Sequence, residues 1–144
     1  MGGKPKLPEN KWEPSVQDIK LGSQYQEVIS TFGKPQSRKD REKKFFLTYD
    51  GLVIEVDCAN KNSLWVSRIE ITNPQWKMSP DIRVGMLQKD VIAILGAPLH
   101  QEEREGGKVW MWWWHGNPKF DSLFSVTFEK GKAFQITLSE DTSL

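Results

Sequence analysis

An internal duplication constrains the fold of this chain more than any other feature. When the sequence is shifted by 63 residues, segment 18–35 aligns with segment 81–98, and seven of the eighteen positions are identical. Self-similarity of this kind indicates one structural unit used twice. The 144 residues suffice for one compact domain, so we predict a first repeat over 18–80 packed against a second over 81–144. Residues 1–17, which mix prolines with charges, are predicted to form a flexible tether.

Each copy is predicted to begin with a short amphipathic helix. In the first copy the apolar residues fall at i, i+3, i+4 and i+7, which is one helix face: Tyr25, Val28, Ile29 and Phe32. Ser23 and Gln26 can form a capping box at its start, while Gly33 and Pro35 can end it. The second copy repeats the pattern with Val91, Ile92, Leu95, Gly96 and Pro98.

Three strand-like runs follow the helix in each copy. They span 45–49, 52–58 and 65–72 in the first copy, then 109–114, 123–129 and 133–139 in the second. Strands joined by such short turns must be antiparallel. The charged stretches 38–44 and 101–108 are interpreted as solvated loops. The predicted fold class is therefore α+β, with two tandem α-β-β-β repeats and the helices packed on one face of an antiparallel sheet of about six strands.

A tryptophan-rich run, VWMWWWHG at 109–116, holds four of the seven tryptophans of the chain. Side chains alternate across a strand, and the two copies can be aligned at their turn glycines, 51 and 116. On this alignment Trp110, Trp112 and Trp114 belong to the core. Met111, Trp113 and His115 then fall on the opposite face, which is polar elsewhere in the sheet.

We interpret that opposite face as a surface for binding a partner. Trp113 is predicted to be an exposed aromatic anchor flanked by Met111 and His115, because large exposed apolar patches usually mark contact sites. From the first copy, Phe46, Glu55 and Arg68 are predicted to belong to the same surface. The alternatives are that the tether, with Trp12, folds over the patch, or that Trp113 is a surface tryptophan with no binding role.

Composition excludes several classes of function. Lysine and arginine (20) nearly balance aspartate and glutamate (19), so no basic field predicts a nucleic-acid partner. Cys58 is the single cysteine and fits a buried apolar position, while neither histidine has metal-ligand spacing. No nucleophile elbow or phosphate-binding loop is visible. We therefore predict a protein that is not an enzyme and holds no metal or cofactor.

The sequence VGMLQKDVIAILGAP (84–98), followed by an aromatic strand and by FEKGKAFQITLSE (128–140), resembles the small protein A/OmlA-like outer-membrane lipoproteins. The tandem arrangement is even more similar to the β-lactamase-inhibitor-protein-like family, whose fold uses such a repeat twice. The resemblance covers residues 18–139 and implies a non-catalytic, extracytoplasmic protein that grips another protein with an aromatic sheet face. Two features depart from these families, since one cysteine permits no intramolecular disulfide and no lipid-bearing cysteine stands at the N-terminus.

The leading hypothesis is thus a cell-envelope lipoprotein or a secreted inhibitor-like protein that binds a protein partner. Gly2, Gly3 and Lys4 are typical of residues that follow a lipidation site, so contact with a membrane is expected only through an N-terminal lipid anchor that a leader upstream would reveal. The alternative hypothesis is a module that binds cell-wall carbohydrate, in which Trp113 and Phe46 stack on sugar rings.

Overall fold

The computed structural model describes residues 13–117 and 120–141, and the side chains of 114–121 and 141 lie outside that description. The first half of the chain contains β1 (Ser15–Val16), α1 (Tyr25–Phe32), β2 (Ser37–Asp40), β3 (Lys44–Tyr49), β4 (Leu52–Asn60) and β5 (Ser63–Ile71). The second half contains β6 (Met78–Ser79), α2 (Gln88–Leu95), β7 (His100–Arg104), β8 (Gly107–Asn117), β9 (Phe120–Glu129) and β10 (Lys132–Asp141).

The predicted α+β architecture is wrong, because the chain is mostly β. One antiparallel sheet has eight strands in the order β2-β3-β4-β5-β10-β9-β8-β7, and β1 pairs with β6 in a second, two-stranded sheet. Each of the two helices found in the described residues has only eight residues. A sheet of six strands under a helical layer therefore does not describe this protein.

The error arose at the charged stretches that were interpreted as loops. Those stretches supply β2 and β7, the two outermost strands of the large sheet. All four residues of β2 are exposed, so the segment shows no apolar alternation that could reveal a strand. Charged side chains on an edge strand are a common device against pairing with other chains.

The first strand lies inside the predicted tether. Ser15 pairs with Ser79 and Val16 with Met78, and Val16 is fully buried. Ser15 and Val16, which were predicted to belong to the flexible tether, are thus part of the fold, while residues 1–12 lie outside the description. None of the described helices is long and apolar enough to cross a membrane.

Local sequence explains the position of α1. The backbone N–H of Gln24 donates to the Glu27 carboxylate at 3.0 Å, so the capping box begins one residue later than the predicted pair Ser23 and Gln26. Ser23 instead accepts a hydrogen bond from the backbone of Lys20. The helix ends at Gly33, whose φ of 79° favours glycine.

One face of the large sheet packs with both helices in a single core. The buried residues include the central strands and one side of each helix: Val28, Leu47, Ile54, Ile69, Val91, Trp110, Trp112, Phe124, Ile136 and Leu138. The predicted core positions of Trp110 and Trp112 are confirmed. The side chain of Trp114 lies outside the described set. We call the face that carries Phe46, Glu55 and Arg68, opposite the core, the open face.

A β-bulge in each half interrupts the alternation of side chains. In β5 the register shifts so that Val56 pairs with Val66 and Glu55 with Arg68, which leaves Ser67 as the extra residue. Val66 is therefore buried, whereas strict alternation from Ile69 would put Ser67 and Trp65 on the core face. Phe134 is the extra residue in β10 and is exposed, although alternation predicted that it would be buried.

Equivalent hydrogen bonds define how the halves correspond. Gly22 N–H donates to the Val66 carbonyl at 2.8 Å, and Gly85 N–H donates to the Ala133 carbonyl at 2.6 Å. From these bonds, strand pairing makes Leu47 the counterpart of Trp110, because Leu47 pairs with Ile54 and Trp110 with Val126. Alignment at the turn glycines had matched Leu47 with Trp112. Strand pairing therefore shifts the correspondence between β3 and the tryptophan run by two residues.

Candidate functional site

Four of the six predicted partner residues lie in one row across the open face. In this row each residue pairs with the next one on the neighbouring strand, in the order Phe46, Glu55, Arg68, Ser139, Leu123 and Trp113. Because neighbouring strands lie about 4.8 Å apart, Phe46 and Trp113 are separated by roughly 24 Å. The structure thus brings Phe46, Glu55 and Arg68 together and puts Trp113 in a different part of the face.

A charged cleft of about 410 Å³ opens beside the first three residues of this row. Its lining comes from the region before β3 and from β3, β4, β5 and β10, and comprises Lys43, Lys44, Glu55, Asp57, Ser67, Arg68, Ser139 and Glu140. Three of the four strands that the first half contributes to the large sheet, and the adjoining β10, therefore line one depression. We refer to this set of residues as the charged cleft.

Glu55 is the most constrained carboxylate of the charged cleft. One of its oxygens lies 3.4 Å from the Lys44 ammonium group, and the other accepts a hydrogen bond of 2.7 Å from the Ser67 hydroxyl. Lys44 also lies over the Phe46 ring, 5.9 Å from its centroid. Arg68 is paired with Glu70 at 3.5 Å. These contacts hold the charged row in a fixed arrangement.

Glu140 differs from the other acids of the charged cleft. Burial and, after it, the negative charges of Asp57 and Glu55 together raise the pKa of its carboxyl to about 7. The carboxyl has no hydrogen bond or ion pair with any residue in the described ranges. An unpaired carboxyl that titrates near neutrality is thus placed at the end of β10, facing two other acids.

The second half has an apolar cluster on the same face. Val109, Met111 and Trp113 are buried there, with Leu99 and Leu123 packed against them. We call these five residues the second-half cluster. The expectation that Met111 and Trp113 are exposed is wrong, because each is only 8% exposed. The His100 ring also lies near Trp113, with 6.3 Å between the ring centroids.

The physical reason for this error is that alternation identifies a face but not what covers it. Strand β8 has eleven residues and β3 has six, so Trp113 lies beyond the stretch that corresponds to β3. Its neighbours Leu99 and Leu123 come from other segments and cannot be inferred from β8 alone. The side chain of His115, the remaining predicted contact, lies outside the description.

Sequence reasoning missed Glu140, Ser67 and Lys44 as members of the site. Glu140 follows the last predicted strand, 133–139, and its position depends on the pairing of β10 with β5, between the two halves. Ser67 could not be placed beside the cleft, because a bulge cannot be inferred from alternation. Glu55 and Asp57 alternate along β4, and this spacing could have indicated the acidic side of the charged cleft.

Among the residues that the structure describes, no group of three or more His, Cys, Asp and Glu side chains could hold a metal ion. Cys58 is free and only half-buried, although a buried position was predicted, and it packs against the core. The charged cleft presents ammonium, guanidinium, carboxylate and hydroxyl groups, which can form ion pairs and hydrogen bonds.

Comparisons with known proteins identify a fold and no family. No protein-family model matches the chain, and no curated protein matches it. A solved structure of an extracellular protein containing a SCP domain, from Bacillus anthracis str. Ames, is similar, with a TM-score of 0.58 and 10% sequence identity. The match covers 98% of this chain and 50% of the other, so the chain spans about half the length of that protein. Identity this low shows likeness of fold alone.

Proposed function

We propose that this chain is a non-catalytic, extracytoplasmic module that binds another protein through the first-half part of its open face. The observation that carries the proposal is the row of Phe46, Glu55 and Arg68 beside the charged cleft. Aromatic residues and arginine are enriched in protein interfaces, and a polar rim around an apolar residue is their usual anatomy. These three residues are half-buried, so a partner can cover them further without any change in the fold.

The location is part of the same proposal. The structurally similar protein is described as extracellular, which supports a secreted or envelope location for this chain. An N-terminal lipid anchor, and a relation to the small protein A/OmlA-like or β-lactamase-inhibitor-protein-like families, are finer proposals. A leader with a lipid-bearing cysteine in the gene upstream of residue 1 would support the anchor. A native start codon with no leader would contradict it.

Carbohydrate binding is the less favoured candidate. Stacking on a sugar ring needs an exposed aromatic face, and Trp113 is only 8% exposed. Phe46, half-buried beside Lys44, is the remaining aromatic residue on which that hypothesis depended. The second-half cluster therefore favours a structural role for Trp113 over a sugar-stacking role.

A matched pair of charge reversals tests the proposed function. Immobilised protein is used to capture partners from the secreted and envelope fractions of the source organism, followed by cross-linking and mass spectrometry. Arg68→Glu changes the centre of the row, whereas Lys89→Glu reverses an exposed charge on α2, which packs against the opposite face of the sheet. We expect at least one protein to be retained by the wild type and by Lys89→Glu but lost with Arg68→Glu. Identical sets of captured proteins for all three would contradict the proposal, provided that circular dichroism shows all three to be folded.

A further inference from the structure

The charged cleft contains one acid whose charge is not balanced within the fold. Glu55 is engaged by Lys44 and Ser67, and Arg68 by Glu70. One oxygen of Asp57 accepts a hydrogen bond from the backbone of Ala59. Glu140 alone among these acids has no such contact with the described residues. A charged group from a partner would therefore gain the most interaction energy beside Glu140, on the open side of the cleft.

The charges around Glu140 indicate whether that group is positive or negative. The charged residues that face the cleft are Lys43 before β3, Lys44 on β3, Glu55 and Asp57 on β4, and Arg68 on β5. The pairing residue on β9, Ser122, is uncharged. The raised pKa of Glu140, caused first by burial and then by Asp57 and Glu55, shows that the two acids outweigh the lysines at this position. A negative group would add repulsion, whereas a positive group would relieve it.

We infer that the charged cleft receives a lysine or arginine side chain from the partner protein, with Glu140 and Asp57 as its acceptors. The inference rests on the proposed function and specifies the chemistry of the partner. An organic cation fits better than a metal ion, because the acids in the described part of the chain do not form a group that could hold a metal.

The inference predicts that binding depends on pH. Glu140, with a pKa of about 7, is mostly neutral at pH 6 and mostly ionised at pH 8. Because a half-exposed ion pair contributes about 1 kcal/mol, binding of a basic side chain should be about fivefold tighter at pH 8 than at pH 6. The basic side chain keeps its charge throughout this range, so the change arises in the cleft.

An NMR titration with short peptides tests the inference. The probe is acetyl-Thr-Lys-Thr-amide, and the matched control is acetyl-Thr-Gln-Thr-amide. We expect the lysine peptide to shift the backbone amide signals of Ser67, Arg68 and Ser139 in a saturable way, about fivefold more tightly at pH 8 than at pH 6. Glu140→Gln should bind it about fivefold more weakly at pH 8 and lose the pH dependence. The variant Glu103→Gln, on the far edge strand, should bind as the wild type does.

Three outcomes would overturn the inference. The first is equal binding of the two peptides, the second is an unchanged affinity in Glu140→Gln, and the third is the same set of shifts on addition of calcium chloride alone. The failure is distinct from that of the proposed function. If capture of a partner is lost with Arg68→Glu but unchanged by Glu140→Gln and by pH, only the present inference is contradicted. If capture is unchanged by Arg68→Glu, the proposed function itself is contradicted.

Discussion

The open face differs between the two halves although the strands beneath it correspond. In the first half, strand pairing aligns Phe46, Glu55 and Arg68. The corresponding row in the second half consists of Val109, Thr127 and Gln135. Two charged positions are thus replaced by neutral ones, and Val109 belongs to an apolar cluster that continues to Trp113, beyond the stretch equivalent to β3. The same backbone arrangement supports a charged surface in one half and a small second core in the other.

This difference separates residues that stabilise the fold from residues that are available for contact. Trp113, the most conspicuous aromatic residue of the sequence, is buried in the second-half cluster. Phe46 lies on the same face but is half-buried beside a lysine. We therefore expect substitutions in the second half to change stability and substitutions in the first half to change binding.

The largest expected effect is on stability, from Trp113→Ala. Removing a buried indole loses its transfer free energy and leaves a cavity, so we expect a loss of about 3 to 4 kcal/mol in the free energy of unfolding. Phe46→Ala, the comparison in the first half, should cost about 1 kcal/mol because the ring is only partly buried. Urea denaturation followed by far-ultraviolet circular dichroism measures both. Equal losses for the two variants would remove the distinction between the halves.

A second comparison concerns polar atoms of buried aromatic residues. Tyr49 hydroxyl donates to the Gly33 carbonyl at 2.7 Å, whereas the indole N–H groups of Trp110 and Trp112 are buried with no hydrogen-bond partner in the described structure. Tyr49→Phe should cost about 1.5 kcal/mol, since it leaves a carbonyl without its donor. Trp110→Phe removes an unpaired donor and some ring area, so its net effect should stay within about 1 kcal/mol. Thermal and urea unfolding compare them; a larger loss for Trp110→Phe would show that its N–H has an acceptor.

These two comparisons also show what the sequence could and could not predict. The six apolar strands and both helices follow from local periodicity, and so do the core positions of Trp110 and Trp112. Strands β2 and β7 could not be found, because edge strands rich in charge lack apolar alternation. The burial of Trp113 depends on Leu99 and Leu123, and the position of Glu140 depends on the pairing of β10 with β5. Both are contacts between segments far apart in the chain, on which local periodicity carries no information.

A third prediction concerns the dependence of stability on pH. The folded-state pKa of Glu140 is raised to about 7 from the ordinary 4.5, so folding favours the protonated carboxyl. This contribution is fully present below pH 4.5 and is lost as the pH rises through 7. After allowance for partial exposure to solvent, we expect it to be about 1 kcal/mol.

The measurement is a series of urea midpoints between pH 5 and pH 8.5. Glu140→Gln should be as stable as the wild type at the acidic end and more stable than it at the alkaline end. Glu103→Gln serves as the control, because Glu103 lies on an edge strand away from the charged cleft. A stability difference between Glu140→Gln and the wild type that is constant across the series would contradict the assignment of the shift to Glu140.

The smallest expected effects are at the two edges, where the halves agree. Lys39 on β2 and Glu103 on β7 are both exposed on outermost strands of the large sheet. Exposed substitutions away from caps, bulges and buried groups usually change stability by less than about 0.5 kcal/mol, so Lys39→Ala and Glu103→Ala should both unfold with nearly wild-type midpoints. Glu103→Ala should also leave capture of a partner unchanged, in contrast to Arg68→Glu, whereas Lys39 pairs with Phe46 at the end of the row. A large effect of Lys39→Ala on capture would extend the contact surface from the charged cleft to the β2 edge, and the difference between the halves would then include their edges.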